Sequence, residues 1–206
     1  MEIKVLPLGL IAANCYMVSS DNTAIVIDPG KYSPIVSEFF KQSKFKHRAI
    51  LLTHSHFDHI CGAARLREET NTDIIVGKKD EEGLFNTYLS LSDQFHAKQE
   101  PFYADQTVNN GDILNIGDFE IKCIETPGHT QGSMCYLLED NLFSGDTLFC
   151  GSIGRTDFPS SDYCDMCNSL KKLIKLPAQT KVFSGHGEAT TIGEEILSNP
   201  YLKNIL

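Results

Sequence analysis

Residues 53–59 read Thr-His-Ser-His-Phe-Asp-His, so four potential metal ligands, His54, His56, Asp58 and His59, fall within six residues. No other stretch of the chain constrains its chemistry so tightly. Imidazole nitrogen and carboxylate oxygen together suit Zn²⁺ or a similar first-row ion. One such ion takes three or four protein ligands, and a run this short does not easily wrap all four around a single centre. The cluster is expected to seed two adjacent metals, with the rest of the chain supplying the missing ligands.

Three further positions have suitable residue types in a similar setting. Phe119–Glu125 reads as a strand and runs into Thr-Pro-Gly-His-Thr, which presents His129. Asn141–Ser144 runs into Gly-Asp-Thr, which presents Asp146, and Lys181–Ser184 into Gly-His-Gly, which presents His186. Arg48–Thr53 ends in the same way at the His54 cluster. Strand ends are rigid mounts, and the neighbouring glycines let the backbone turn sharply. Five of the seven histidines lie in these four turns, leaving out only His47 and His96. The expected division places His54, His56 and His129 on one ion and Asp58, His59 and His186 on the other. Asp146 would bridge both with its two oxygens, and each ion would keep an open position for water. Taken singly, His129 and His186 read as hydrogen-bonded histidines, Asp58 as a helix N-cap and Asp146 as a turn residue. Together, suitable residue types at four strand ends outweigh those readings.

The remaining periodicity shows what must carry these turns. Short apolar runs predict further strands over Ile3–Leu6, Cys15–Ser19, Ala24–Asp28, Asp73–Gly77, Asp112–Ile116 and Ser133–Leu138. Helical spacing predicts helices over Ser33–Ser43, Ile60–Glu69, Lys78–Asn86, Asp162–Lys175 and Ile192–Ser198. Two strand-rich halves with interspersed helices imply a layered α+β sandwich, sheets inside and helices outside. At 206 residues the chain is expected to form one domain over 1–206. Tyr88–Asn110 is the least regular stretch and reads either as a substrate lid or as a surface excursion.

Bulk properties narrow the partners. A formal net charge of −9 argues against nucleic acid and against an anionic membrane surface, and no window approaches a membrane span. The apolar start of the chain is interrupted by Pro7 and Gly9, and Glu2 offsets Lys4, so it reads as mature strand rather than as a signal peptide. Seven cysteines, an odd number without a compact framework, fit a reduced, cytoplasmic protein. Cys164 and Cys167 read as two residues on one helical turn rather than as a redox pair or half a zinc knuckle.

This set of motifs resembles the metallo-β-lactamase superfamily, whose signature H-x-H-x-D-H stands here as His54-Ser55-His56-Phe57-Asp58-His59, followed in order by His129, Asp146 and His186. The opening segments Ala13-Asn14-Cys15-Tyr16 and Val26-Ile27-Asp28-Pro29-Gly30 are similar to the family as well, with Asp28 a supporting residue rather than a ligand. The resemblance implies a four-layer αββα sandwich. Within the superfamily the chain looks like a small glyoxalase-II-type (hydroxyacylglutathione hydrolase-like) protein. The segments at 126–130, 144–149, 154–159 and 184–195 carry that likeness. β-Lactamases usually place Cys where Asp146 stands. Full-length glyoxalase II has an added helical region that helps bind glutathione, whereas here about twenty residues follow His186.

The implied chemistry is thioester hydrolysis. Two divalent ions, Zn foremost with Fe or Mn as alternatives, would lie about 3.5–4 Å apart and share a hydroxide that Asp58 orients. The implied substrate is a small molecule. Arg155, Tyr88 and Phe149 are candidate substrate contacts, although Arg155 also reads as the partner of Asp157. Two alternatives stand beside this reading. Gly154-Arg155-Thr156-Asp157-Phe158 also resembles iron-dependent persulfide dioxygenases, and a lactonase or other ester hydrolase needs nearly the same site.

Overall fold

A strand presents alternate side chains to opposite faces, so a strand buried on both sides must be apolar at nearly every position. Two segments meet that demand. Ala24, Val26, Ile50 and Leu52 face one way, while Ile25, Ile27, Ala49 and Leu51 face the other. In the computed structural model, which describes residues 1–205, these segments are the centre of a six-stranded sheet. Its strands are β1 (Glu2–Leu8), β2 (Ala13–Ser19), β3 (Thr23–Ile27), β4 (His47–Leu52), β5 (Ile74–Gly77) and β6 (Gln106–Val108), paired in that order. β1 to β3 are antiparallel; β4, β5 and β6 continue parallel to β3.

The second sheet repeats the theme. β7 (Ile113–Ile116), β8 (Phe119–Glu125), β9 (Met134–Leu138) and β10 (Asn141–Gly145) form an antiparallel meander. A small hairpin, β11 (Leu148–Phe149) and β12 (Ser152–Ile153), follows. β13 (Lys181–Ser184) then pairs parallel to β10, and β14 (Thr190–Thr191) closes the edge. The helices are α1 (Pro34–Phe40), α2 (Phe57–Ile60), α3 (Ala63–Thr70), α4 (Tyr163–Leu173), α5 (Ile192–Ser198) and α6 (Pro200–Lys203).

Three separate cores define the layers. Between the sheets, Ile25 and Leu51 pack with Ile121, Tyr136 and Phe143. Outside the first sheet, Val36 and Phe40 of α1 and Leu66 of α3 cover Val26 and Ile50. Outside the second, Met166, Leu170 and Leu173 of α4 cover Leu142 and Val182. The order is helix, sheet, sheet, helix, which is the αββα sandwich implied by the sequence. Among the described residues no helix is long and apolar enough to cross a membrane.

Several elements depart from expectation for identifiable reasons. The helix predicted over Ile60–Glu69 is two helices, α2 and α3, broken at Gly62. The Gly62 N–H donates to Pro29 O at 2.8 Å, and a Cβ at Gly62 would stand 2.5 Å from that same oxygen. The turn after β3 therefore occupies the space a continuous helix would need. Lys78–Leu84 winds as a 3₁₀ helix rather than the predicted α-helix. β6 lies inside the segment read as irregular: three residues, two of them polar, carry too little periodicity to register. The same holds for the two-residue strands β11, β12 and β14.

Two tyrosines tie the sheets together beside the predicted site. Tyr136 of β9 donates its hydroxyl to Leu52 O at 2.9 Å, and Tyr16 of β2 donates to Ser184 O at 2.6 Å. Leu52 precedes His54 by two residues, and Ser184 precedes His186 by two. Removing the Tyr136 hydroxyl strands a buried carbonyl, which costs about 1–3 kcal/mol. Tyr136→Phe is therefore expected to lower the free energy of unfolding in urea by that amount. An unchanged midpoint and slope would show that the cross-sheet bond adds nothing.

Candidate metal centre

β3 and β4 end side by side, and the site begins where they stop. Asp28 follows β3 with φ 53°, a left-handed turn that swings its carboxylate toward the end of β4. There the Thr53 N–H and hydroxyl donate to Asp28 Oδ1 and Oδ2 at 2.7 and 2.6 Å. His59 Nδ1 lies 2.9 Å from the same Oδ2 and donates to it, which leaves His59 Nε2 facing the cleft. His56 occupies the N-cap position of α2, so Asp58 lies within the first turn of that helix and is not its cap. Gly30 brings the turn after β3 against Asp58: a Cβ there would collide with Asp58 O.

The opposite wall comes from the second sheet. His129 Nδ1 is 2.8 Å from Arg155 O and donates to it, turning Nε2 inward. Asp80, buried in the 3₁₀ helix, joins the two walls. It accepts from Ser55 N at 2.9 Å, from the Thr130 hydroxyl at 2.7 Å and from Gly132 N at 2.8 Å. Burial pushes its carboxyl pKa up, against these three donors. Sequence reasoning passed over Asp80 because it stands among Lys78, Lys79, Glu81 and Glu82 and reads as one more surface charge.

All seven predicted ligand residues converge. His54, His56 and His129 each offer an atom within 4.8 Å of the others, and Asp58, His59 and His186 do the same. A third grouping, Asp28 with His54 and His59, overlaps these, but the Asp28 oxygens are already taken by Thr53 and His59. His56 Nδ1 is 2.9 Å from His129 Nε2. Asp58 Oδ2 lies 3.3 Å from His59 Nε2 and 3.2 Å from His186 Nε2. Asp146 stands between the groups, with Oδ1 3.5 Å from His59 Nε2 and Oδ2 3.4 Å from His129 Nε2 and 3.7 Å from His186 Nε2. His54 Nε2, His56 Nε2, His59 Nε2 and Asp146 Oδ1 are buried without a hydrogen-bond partner. Each such atom costs about 1–3 kcal/mol unless something satisfies it. Nitrogen and carboxylate donors gathered in two groups that share Asp146 are suited to a dinuclear metal site.

The two groups differ electrostatically. Burial, reinforced by neighbouring imidazoles, holds the His54 and His56 pKa values well below the ordinary histidine range. Both rings are therefore neutral, the form that ligates a cation. Burial acts the same way on His59, but Asp58, Asp146 and Asp28 outweigh it and raise its pKa well above that range. His186 is also raised: burial opposes charge there, while the hydrogen bond to Asp58 and the charge of Asp146 favour it. Burial alone would lift Asp58, yet His59 and His186 hold its carboxyl far below the usual carboxylate range. A divalent ion in the acidic group would replace the protons that otherwise balance these carboxylates.

Above the groups lies a cleft of about 330 Å³ whose walls include Ile11, Leu91, Phe95, Phe149, Arg155 and Phe158, with Asp58, Asp146 and His186 on its floor. Phe149 and Arg155, two of the candidate substrate contacts, line this cleft. Arg155 forks onto Asp157 at 2.9 and 2.8 Å, and its guanidinium lies 4.1 Å from the Phe158 ring centroid. Tyr88 does not line the cleft and is 66% exposed. A turn in which Asn86 Oδ1 accepts from Tyr88 N precedes Leu91 and Phe95, and these two face the cleft in its place. The segment behind them is pinned. Ser90 O accepts from Phe57 N at 2.9 Å, Phe95 stacks on Phe57, and Gln99 Nε2 donates to Gly83 O and Leu84 O. Cys164 and Cys167 lie on the first turns of α4, as expected, and neither lines the cleft.

Comparison with known proteins agrees with this geometry. The family model described as the metallo-beta-lactamase superfamily matches residues 8–186. The hydroxyacylglutathione hydrolase GloC of Haemophilus influenzae is 32% identical over 99% of both chains. Among solved structures, BLEG-1, titled a B3 metallo-beta-lactamase, is 36% identical with a TM-score of 0.91, covering 98% of this chain and 99% of its own. TTHA1623, in a di-iron-bound form, is 31% identical with a TM-score of 0.85, covering 97% and 100%. The fold, the converging histidines and aspartates, and the near-complete coverage give one answer: the chain belongs to the metallo-beta-lactamase superfamily and is a metallo-hydrolase of that group.

Proposed function

We propose that this metallo-hydrolase cleaves thioesters in the manner of glyoxalase II. The observation that carries the reading is Asp146, a carboxylate whose two oxygens reach both histidine groups at a position where β-lactamases usually have Cys. The likeness to a protein named hydroxyacylglutathione hydrolase supports it. In this reading His54, His56 and His129 would hold one ion, Asp58, His59 and His186 the other, and Asp146 would serve both. When bound, such ions polarise a carbonyl and bring the pKa of a water toward about 7. Zn is the first choice, and iron and manganese accept the same donors.

The protein residues do the rest. Asp58, kept ionised on the cleft floor, accepts a hydrogen bond from the attacking water and aims it at the acyl carbon. Asp28 and Arg155 O accept from Nδ1 of His59 and His129, so that the Nε2 atoms facing the cleft would be the ones to ligate an ion. Phe57, Phe149 and Phe158 exclude bulk water from the acyl group. No Ser or Cys side chain lines the cleft among the described residues, consistent with direct attack by water rather than a covalent acyl intermediate.

His56→Ala and Asp146→Ala are each expected to lose bound metal on elemental analysis and to lower kcat/KM for S-lactoylglutathione or a simpler thioester by more than about 100-fold. Full activity in either variant sinks the ligand assignment. On the native protein, one iron per chain, oxygen uptake with glutathione persulfide and no hydrolysis would replace this reading with the dioxygenase. Turnover of a β-lactam in place of every thioester would replace it with the activity named for BLEG-1.

Gly185 provides an independent check. A Cβ at this position would collide with Asp146 Oδ1 and stand 2.7 Å from His59 Cε1. Gly185→Ala is expected to weaken metal retention about 10–100-fold in a chelator competition while the protein stays folded. Undiminished retention would show that Asp146 and His59 do not need their present positions to bind metal.

A further inference from the structure

We infer that the cleft selects thioesters whose thiol arm is apolar and carries no carboxylate, and that it discriminates against glutathione conjugates; the inference rests on the thioester-hydrolase reading above. The walls that a thiol arm would meet are hydrocarbon: Ile11, Phe57, Phe95, Phe149, Ile153 and Phe158. Two of these rim residues, Ile11 and Phe95, are 46% and 43% exposed, so apolar surface remains for a substrate to cover. Asp58 and Asp146 on the floor are committed to the proposed ions, and the one cation among the described wall side chains outside the histidines, Arg155, is already forked onto Asp157 and lies over Phe158. A substrate carboxylate would meet only the free Nη1 edge of a guanidinium whose charge Asp157 already balances, or lie unpaired against aromatic rings, where it is disfavoured. The volume of about 330 Å³ sits at the small end of ligand pockets, about 300–1,000 Å³. The chain's formal net charge of −9, before the two divalent ions are counted, adds long-range repulsion for an anionic arm.

The test separates binding from turnover. Two non-hydrolysable thioethers bearing the same S-butyl group, one on N-acetylcysteamine and one on glutathione, are titrated calorimetrically into the zinc-loaded protein. The N-acetylcysteamine thioether is expected to bind at least about 10-fold more tightly. Equal or tighter binding of the glutathione thioether overturns the inference, as does failure of both to bind at millimolar concentration. Ile11→Lys, a change at a half-exposed turn residue, is expected to tighten the glutathione thioether and narrow the ratio several-fold; an unchanged ratio would show that these walls do not set the preference. Turnover of the matched butyryl thioesters is read separately. No hydrolysis of either sinks the hydrolase reading, while the order of the two affinities still decides the preference for the arm.

Discussion

Five imidazoles and four carboxylates largely out of water at the junction of two sheets would cost more than packing alone could offset, unless their charges and lone pairs satisfy one another or a cation. Most of the surrounding structure follows from that constraint. Asp28 is spent on Thr53 and His59, Asp80 on Ser55, Thr130 and Gly132, and Arg155 O on His129. Each bond fixes the outward side of a loop or ring, which leaves His54 Nε2, His59 Nε2 and Asp146 Oδ1 unpaired. The buried orphans at His54, His59 and Asp146 are therefore concentrated where a cation would lie.

The two sheets divide the work. The first supplies His54 to His59 from the end of β4; the second supplies His129, Asp146 and His186 from the ends of β8, β10 and β13. Neither sheet can form the site alone, so a slip between them would pull it apart. The hydrocarbon core between the sheets resists separation, but apolar contact is not directional. Direction comes from the two tyrosine hydroxyls, each anchored on a carbonyl just upstream of a proposed ligand, and from Asp80, which binds the loops of both walls. Gly30, Gly154 and Gly185 let backbone approach the aspartates more closely than any side chain would allow.

The proposed ligands were legible because their chemistry restricts residue type and because β-strands stop abruptly. His54-x-His56-x-Asp58-His59 has few competing explanations, and His129, Asp146 and His186 each follow an apolar run that ends at or near a glycine. The layers were legible for a similar reason, since the doubly apolar runs at β3 and β4 fit only strands covered on both faces. What escaped the sequence depends on contacts between distant segments. Asp80 has an ordinary acidic neighbourhood along the chain, and only the fold brings Ser55 and Thr130 to it. Gly62 breaks a helix because of Pro29, thirty-three positions earlier. Tyr88 resembles a pocket aromatic in composition, but the turn that follows it directs Leu91 and Phe95 inward instead.

That last case bears on how reaction and specificity are separated in this protein. The proposed metal ligands sit on strand ends and a short helix, where backbone hydrogen bonds fix them. The walls above them come from the β1–β2 turn, the segment holding Leu91 and Phe95, the β11–β12 hairpin and the loop at Arg155–Phe158, with Phe57 of α2 between them and the floor. In the proposed reading it is mainly the aromatic and aliphatic character of these pieces that would meet the substrate beyond its reacting carbonyl. Replacing their side chains would leave Asp28, Asp80, the tyrosine ties and the Arg155 backbone carbonyl that orients His129 untouched. The floor therefore sets which bond is broken, and the walls set which molecule carries it. In this chain the walls are mostly apolar and the cation among them, Arg155, is already paired, so under the proposed reading the choice of thiol arm would rest on side chains that are not themselves metal ligands.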